Sequence, residues 1–164
     1  MDVRAEINYS NSSPERAFAL SMDPAFRSAV CEATHATSYD VDIREDDSGG
    51  ASVTITRTVP ADLPDIARKI IGDTVEVMQV ENWSAPGRDG RRTAELIISI
   101  KGQPAQMVGS VSLEPFADGS RMRIVGDVKV RIPFVGRKIA AELAKAIVAA
   151  AAAEERTGLS WLGR

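Results

Sequence analysis

The sequence holds a single cysteine, Cys31, and a single histidine, His35. The first removes any internal disulfide framework, and the second removes every metal site built on several histidines. No stretch reaches the eighteen or so uninterrupted apolar residues that a membrane span requires, and the alanine run near the C-terminus is short and flanked by charge. The first residues alternate polar and apolar, with no basic segment leading into an apolar one, so no secretory signal is read and a cytoplasmic protein is expected. Neither sign of charge prevails. Twenty basic against 23 acidic side chains leave a net charge of −3, which gives no bulk electrostatic reason to expect nucleic acid as a partner.

What is present is ordinary globular material: 44% hydrophobic and 26% charged residues in 164. That length fits one domain over 1–164, burying roughly 70% of the unfolded chain's surface, so neither disulfides nor metal are needed for stability. Val3, Ala5, Ile7 and Tyr9 alternate with polar residues, the period of a strand with one wet face. Ser13 before Pro14 and Glu15 reads as a helix start, and Asp23-Pro24 repeats the signal for a second short helix with Phe26, Ala29 and Val30 on its apolar face. From Ser38 the period returns to two, and Asp46 to Gly50 turns the chain into a strand that Pro60 stops. Ile66 and Ile70, four apart before Gly72, predict a short helix over 63–72.

Strands are then expected over 74–83, 91–100, about 105–113 and about 122–132, with turns at 86–90 and 118–119. After Gly136, Ile139, Leu143 and Ile147 fall on one helical stripe, and a helix is expected to about Arg156 with Gly158 near its end. The fold class is therefore α+β: a curved antiparallel meander of six to seven strands, two short helices after strand one, and a long C-terminal helix.

This order resembles the START-like helix-grip superfamily, which includes polyketide cyclases and lipid-transfer domains. Ser13-Pro14-Glu15-Arg16-Ala17-Phe18 and Asp23-Pro24-Ala25-Phe26-Arg27 are similar to its entry into the paired helices. Ile71-Gly72-Asp73-Thr74 with Trp83, the run Ile132 to Ile139, Glu155 and Trp161-Leu162 are similar to a mostly uncharacterised actinobacterial branch, domain of unknown function 2505. The resemblance implies an apolar cavity between the sheet and the last helix. It implies no reaction, because fold-level analogy fixes none.

The last helix makes such a cavity physically reasonable. Ala140, Ala141, Ala144, Ala146 and Ala149 to Ala153 leave few large side chains on it, so it either drops close onto the sheet or stands over a gap. Gly109 and Gly126 are expected to point inward, widening the gap or admitting the helix. A sealed apolar void of about 300 Å³ would cost about 7 kcal/mol, comparable with a domain's whole stability, so a gap must be occupied, open to water, or collapsed. The expected lining is Arg57, Met78, Trp83, Leu96, Ile98, Met107, Val111, Met122, Ile124, Leu143 and Ile147. The methionines suit an adaptable wall, and Arg57, on the same strand face as Val53 and Ile55, needs a carboxylate, carbonyls or a ligand anion if it points inward.

Other groups read as structural. His35 lacks a partner for a metal site or triad, Cys31 reads as a buried inert thiol, and Asp40, Asp42 and Glu45 to Asp47 do not follow a calcium-loop spacing. Arg88, Arg91 and Arg92 flank a glycine turn and read as a solvated hairpin. Glu95 and Asp127 fall on the outer face. No catalytic or metal residue and no cofactor is named. The leading expectation is a protein that binds a hydrophobic small molecule, lipid or polyketide-like; the alternatives are a cyclase- or aromatase-type enzyme and a ligand-free interaction module.

Overall fold

The computed structural model describes residues 1–164. Strand β1 (Asp2–Tyr9) leads into helices α1 (Pro14–Ser21) and α2 (Pro24–Ala33), and both helix starts are capped as the sequence predicts. The Ser13 hydroxyl accepts from the Arg16 N–H at 3.2 Å, and the Asp23 carboxylate accepts from the Ala25 N–H at 2.9 Å. The chain continues as β2 (Ser38–Glu45), β3 (Ala51–Pro60), α3 (Asp65–Ile71), β4 (Thr74–Trp83), β5 (Arg92–Ile100), β6 (Ala105–Phe116), β7 (Gly119–Val130) and α4 (Gly136–Leu162). All seven strands form one antiparallel sheet in the order β1-β7-β6-β5-β4-β3-β2. Consecutive strands from β2 to β7 are neighbours, and α1 and α2 carry the chain from β1 at one edge to β2 at the other. The architecture is the α+β arrangement that the periodicity implies, with seven strands.

Register explains which side chains meet. In β3 the odd positions Val53, Ile55 and Arg57 face the helices, and the pairings Ile55 with Gln79 and Arg57 with Val77 put the odd positions of β4 on that same face. The core lies there. Val53, Ile55, Trp83, Leu96, Met107, Leu113 and Val128 are buried under α1, α2 and α4, together with Phe26 and Cys31.

The short helix expected over 63–72 is present as α3; in it Ile66 and Ile70 are 55% and 50% exposed, and the buried residue is Ala67, packed with Val135 and Ile139. A small side chain lets this two-turn helix lie close to the start of α4, with Ile71 packed against the same cluster and Ile66 and Ile70 turned outward. Helix α4 does not stop near Arg156 but continues through Gly158 to Leu162. Gly158 is therefore an interior contact residue: a Cβ there would come within 2.5 Å of the Tyr9 ring. Gly109 and Gly126 are paired across β6 and β7, and they neither widen a gap nor admit α4. A Cβ at Gly109 would collide with the Val125 carbonyl and the Gly126 backbone, and one at Gly126 would meet Met107 at 3.0 Å, so these glycines allow two strands and a core side chain to approach.

Candidate functional site

Between α4 and the strands β3, β4 and β5 lies a cavity of about 510 Å³. Its roof is the small face of α4, where Ala146, Ala149, Ala150 and Ala153 take the positions that bulky residues would need to fill the space. Its floor is the inward face of the sheet, from Ile55 and Val77 to Leu96 and Ile98. The mouth is bounded by exposed residues from three parts of the chain: His35 after α2, Pro60 at the end of β3 with Asp62 after it, and Ala146 and Ala149 on α4. If a space of this volume were sealed and dry, it would cost on the order of 12 kcal/mol, close to the entire stability of a domain. An opening to solvent removes that conflict, because water enters when no ligand is bound.

Six of the eleven expected lining residues meet at this cavity: Arg57, Leu96, Ile98, Ile124, Leu143 and Ile147. Trp83, Val111 and Met122 lie deeper, around a void of about 30 Å³ that Leu96 and Ile124 also border. Met107 is fully buried in the core and reaches neither space. Met78 is a correction. It is 39% exposed on the outer face of β4, since it is an even position in a strand whose odd positions point inward.

A polar chain that the sequence reading does not anticipate crosses the inner end of the cavity. Arg57 donates to the Gln79 side-chain oxygen at 2.9 Å and to the Thr34 hydroxyl at 3.3 Å. The Gln79 amide donates to Glu81 at 2.6 Å. The other Glu81 oxygen accepts from Arg27 at 2.6 Å and from the Trp83 indole N–H at 2.8 Å. Arg27 also donates to the Ser21 carbonyl at 2.8 Å and to Glu154 of α4 at 3.2 Å. Arg27 and Glu81 are 4% and 3% exposed, so this is a buried ion pair with almost every polar atom satisfied, the condition under which such pairs persist.

Burial alone would push both carboxyls up. For Glu81 the charge of Arg27 and the hydrogen bonds from Trp83, Arg27 and Gln79 outweigh burial and hold it below the usual carboxylate range. For Glu154 burial wins, with repulsion from Glu81 added and the attraction of Arg27 and Arg57 too weak to reverse it, so its pKa is raised. Glu154 reaches Arg27 with one oxygen only and borders the cavity. The interior is therefore not without an inward acid, as the sequence suggests; the carboxyls of Glu81 and Glu154 both stand there. The signal is present in β4, where Gln79, Glu81 and Trp83 share the face of Val77, and in α2, where Arg27 stands three and four residues before the buried Val30 and Cys31.

The other singled-out groups have local roles. Cys31 is buried at the cavity wall, and burial pushes its thiol up. Asp46 accepts from the Ser48 and Gly50 backbone N–H groups of its own turn at 2.9 and 3.0 Å. Arg92 stacks 3.5 Å over the Phe18 ring and donates to the Gly49 and Ser84 carbonyls, while Arg91 pairs with Glu114. Glu95 is exposed, and Asp127 binds the N-terminal amine at 2.7 Å. No helix is long and apolar enough to cross a membrane.

Residues 4–162 match the model of a family described as a protein of unknown function, DUF2505. The chain is 28% identical over 119 residues to the uncharacterized protein Rv0481c of Mycobacterium tuberculosis, covering 71% of this chain and 68% of that protein. A protein of Mycobacterium bovis, Mb0491c, matches over the same span at the same identity. Among solved structures, TTHA0849 from Thermus thermophilus superposes with a TM-score of 0.65 at 19% identity, over 98% of both chains. A START superfamily protein from Mycobacterium smegmatis superposes with a TM-score of 0.50 at 14% identity, over 96% of both. At these identities the likeness is one of fold, and the fold is START-like.

Proposed function

We propose that this chain, which belongs to the DUF2505 family by its match over residues 4–162, binds a hydrophobic small molecule in the cavity between α4 and β3 to β5. One observation carries the reading: a space of about 510 Å³ with mainly apolar walls and a mouth to solvent. That volume lies within the 300–1,000 Å³ typical of small-molecule sites, which are mostly apolar with a few placed polar groups. Burial of apolar ligand surface drives binding at about 25 cal/mol per Å², and the START-like fold of the M. smegmatis protein supports the reading at the level of architecture. A lipid or polyketide-like compound has the required character. The test is native mass spectrometry of the protein purified from its own host. A stoichiometric apolar compound, released on unfolding, is the expected result. Protein recovered without any such compound, and unable to take one up from a lipid extract of the host, would overturn the proposal.

One observation favours a second reading, an enzyme of the cyclase or aromatase type. Glu154, a carboxyl at the cavity wall whose pKa burial raises, is the kind of group that exchanges protons with a bound molecule. Under that reading Glu154→Gln abolishes conversion of a bound polyketide-like substrate while leaving its binding intact; under the carrier reading the bound compound is recovered unchanged from both proteins.

A further inference from the structure

Arg57 differs from Arg27 in what answers its charge. Arg27 has two carboxylates, Glu81 at 2.6 Å and Glu154 at 3.2 Å. Arg57, half-buried on the cavity wall, forms no ion pair; its two hydrogen bonds to oxygen go to neutral groups, Thr34 and Gln79, and the Cys31 thiol lies beside it. A guanidinium has five N–H donors in a planar fork suited to a carboxylate, and these two bonds leave donors uncommitted to the protein. The nearby charges do not complete the pairing. Glu81 is taken up by Arg27, Gln79 and Trp83, Glu154 feels the Arg57 charge but bonds to Arg27, and Asp62 stands exposed at the mouth.

The alternative use of a cation there, a structural ion pair, is thus absent, while apolar walls surround the same position: Ile55, Val59 and Val77 flank it and Ile98 lies on the next strand. We infer that the cavity takes a singly charged anionic amphiphile of the carboxylic-acid class, with its carboxylate on the Arg57 fork and its chain along the apolar wall under α4. The inference rests on the reading of this cavity as a binding site and specifies the ligand's head group. Gln79 and Thr34 act as positioning residues, since they hold the guanidinium plane without neutralising it.

The test compares decanoic acid, 1-decanol and decylamine at pH 7.5, where the acid is ionised and the amine protonated, by calorimetric titration of the full chain. All three have the same apolar length. The acid is expected to bind about ten-fold or more tighter than the alcohol, the factor a charge-assisted hydrogen bond supplies, and the amine weakest. In Arg57→Met the acid is expected to lose that advantage while the alcohol keeps its affinity. Arg57→Lys, which keeps the charge and loses the fork, is expected to retain a reduced preference, and the wild-type ordering decides the matter if Arg57→Met does not fold. Equal binding of acid and alcohol, or an acid preference that survives Arg57→Met, overturns the head-group assignment and leaves the cavity reading standing. Binding of none of the three by the wild type overturns both.

Discussion

On one flank α4 lies directly on the sheet. Gly158 brings the helix against the Tyr9 ring, the Glu155 carboxylate accepts from the Asn8 backbone N–H at 2.8 Å, and Ala140 is buried. On the other flank the same helix turns Ala146, Ala149 and Ala150 toward β3, β4 and β5, and those strands stand off across the cavity. Small residues thus do opposite things within one helix. Against β1 the lack of a side chain permits contact; against β3 to β5 it leaves space. What distinguishes the two flanks is the Gly158 to Tyr9 contact on one and, on the other, the polar chain from Arg57 to Glu154, which joins α2, β3, β4 and α4 at the cavity's inner end. Composition alone carries neither cause.

The largest effect is expected where the two flanks are tied together. Arg27→Met leaves Glu81 buried without a cation, and breaking such a pair costs about 3–5 kcal/mol, on the order of a 10 °C fall in melting temperature for a chain of this size. The double variant Arg27→Met with Glu81→Leu is expected to regain much of that loss, because an apolar pair of similar volume removes the unpaired charge. Thermal melts of both variants check this, and equal losses would mean that the ion pair is not the tie.

Next come substitutions that enlarge the helix on each flank. Gly158→Val drives a branched side chain into Tyr9 and is expected to cost about 1–3 kcal/mol. Ala150→Leu adds three carbons toward the cavity and is expected to change stability by less than about 0.5 kcal/mol, while sharply lowering uptake of a hydrophobic probe. Denaturant titrations of the pair sharpen the comparison: similar destabilisation by both would show that the second flank is packed as tightly as the first.

The smallest effect concerns pH. The raised pKa of Glu154 means that the folded protein holds this proton more tightly than the unfolded chain does. Its contribution to stability is therefore full below the ordinary carboxylate pKa and is lost as pH rises through the folded value. Glu81, held below the usual range, behaves oppositely: its contribution is present above the unfolded pKa and lost as pH falls through the folded one. Glu154→Gln removes only the first dependence, so its melting temperature is expected to gain on the wild type as pH rises from the ordinary carboxylate range through the folded pKa of Glu154. A gain in the opposite direction would show that Glu154 is held as a carboxylate.

Much of the fold is legible in the sequence because its signals are local. The caps at Ser13 and Asp23, the period-two runs and the turn at Asp46 to Gly50 each act within a few residues, and strand β4 begins and ends where its pattern does. The departures have a long-range cause. The Ile66 and Ile70 spacing marks the helix but not its inner side, because the packing of Ala67 on Val135 and Ile139 decides which side of α3 faces in. Gly158 reads as a terminator only while Tyr9, 149 positions earlier, is out of view. For the cavity, alternation on β3 and β5 brings Arg57, Leu96 and Ile98 to the correct side. Met78 is misplaced when grouped with Trp83, an odd position, because the strand's parity separates them. The Arg27 to Glu154 network escapes a sequence reading because its members are spread over α2, β4 and α4, and charged residues read as surface until a register places them inside.

The central claim is that the space under the alanine face of α4 admits a ligand. Fluorescence titration with a neutral apolar probe such as 1-aminoanthracene, on the wild type and on the variants Leu143→Trp and Ile147→Trp, tests it most directly. The account predicts saturable one-to-one uptake by the wild type and its loss in both variants, with circular dichroism unchanged. Uptake that persists undiminished in both folded variants, or a wild type that takes up no probe, would contradict it.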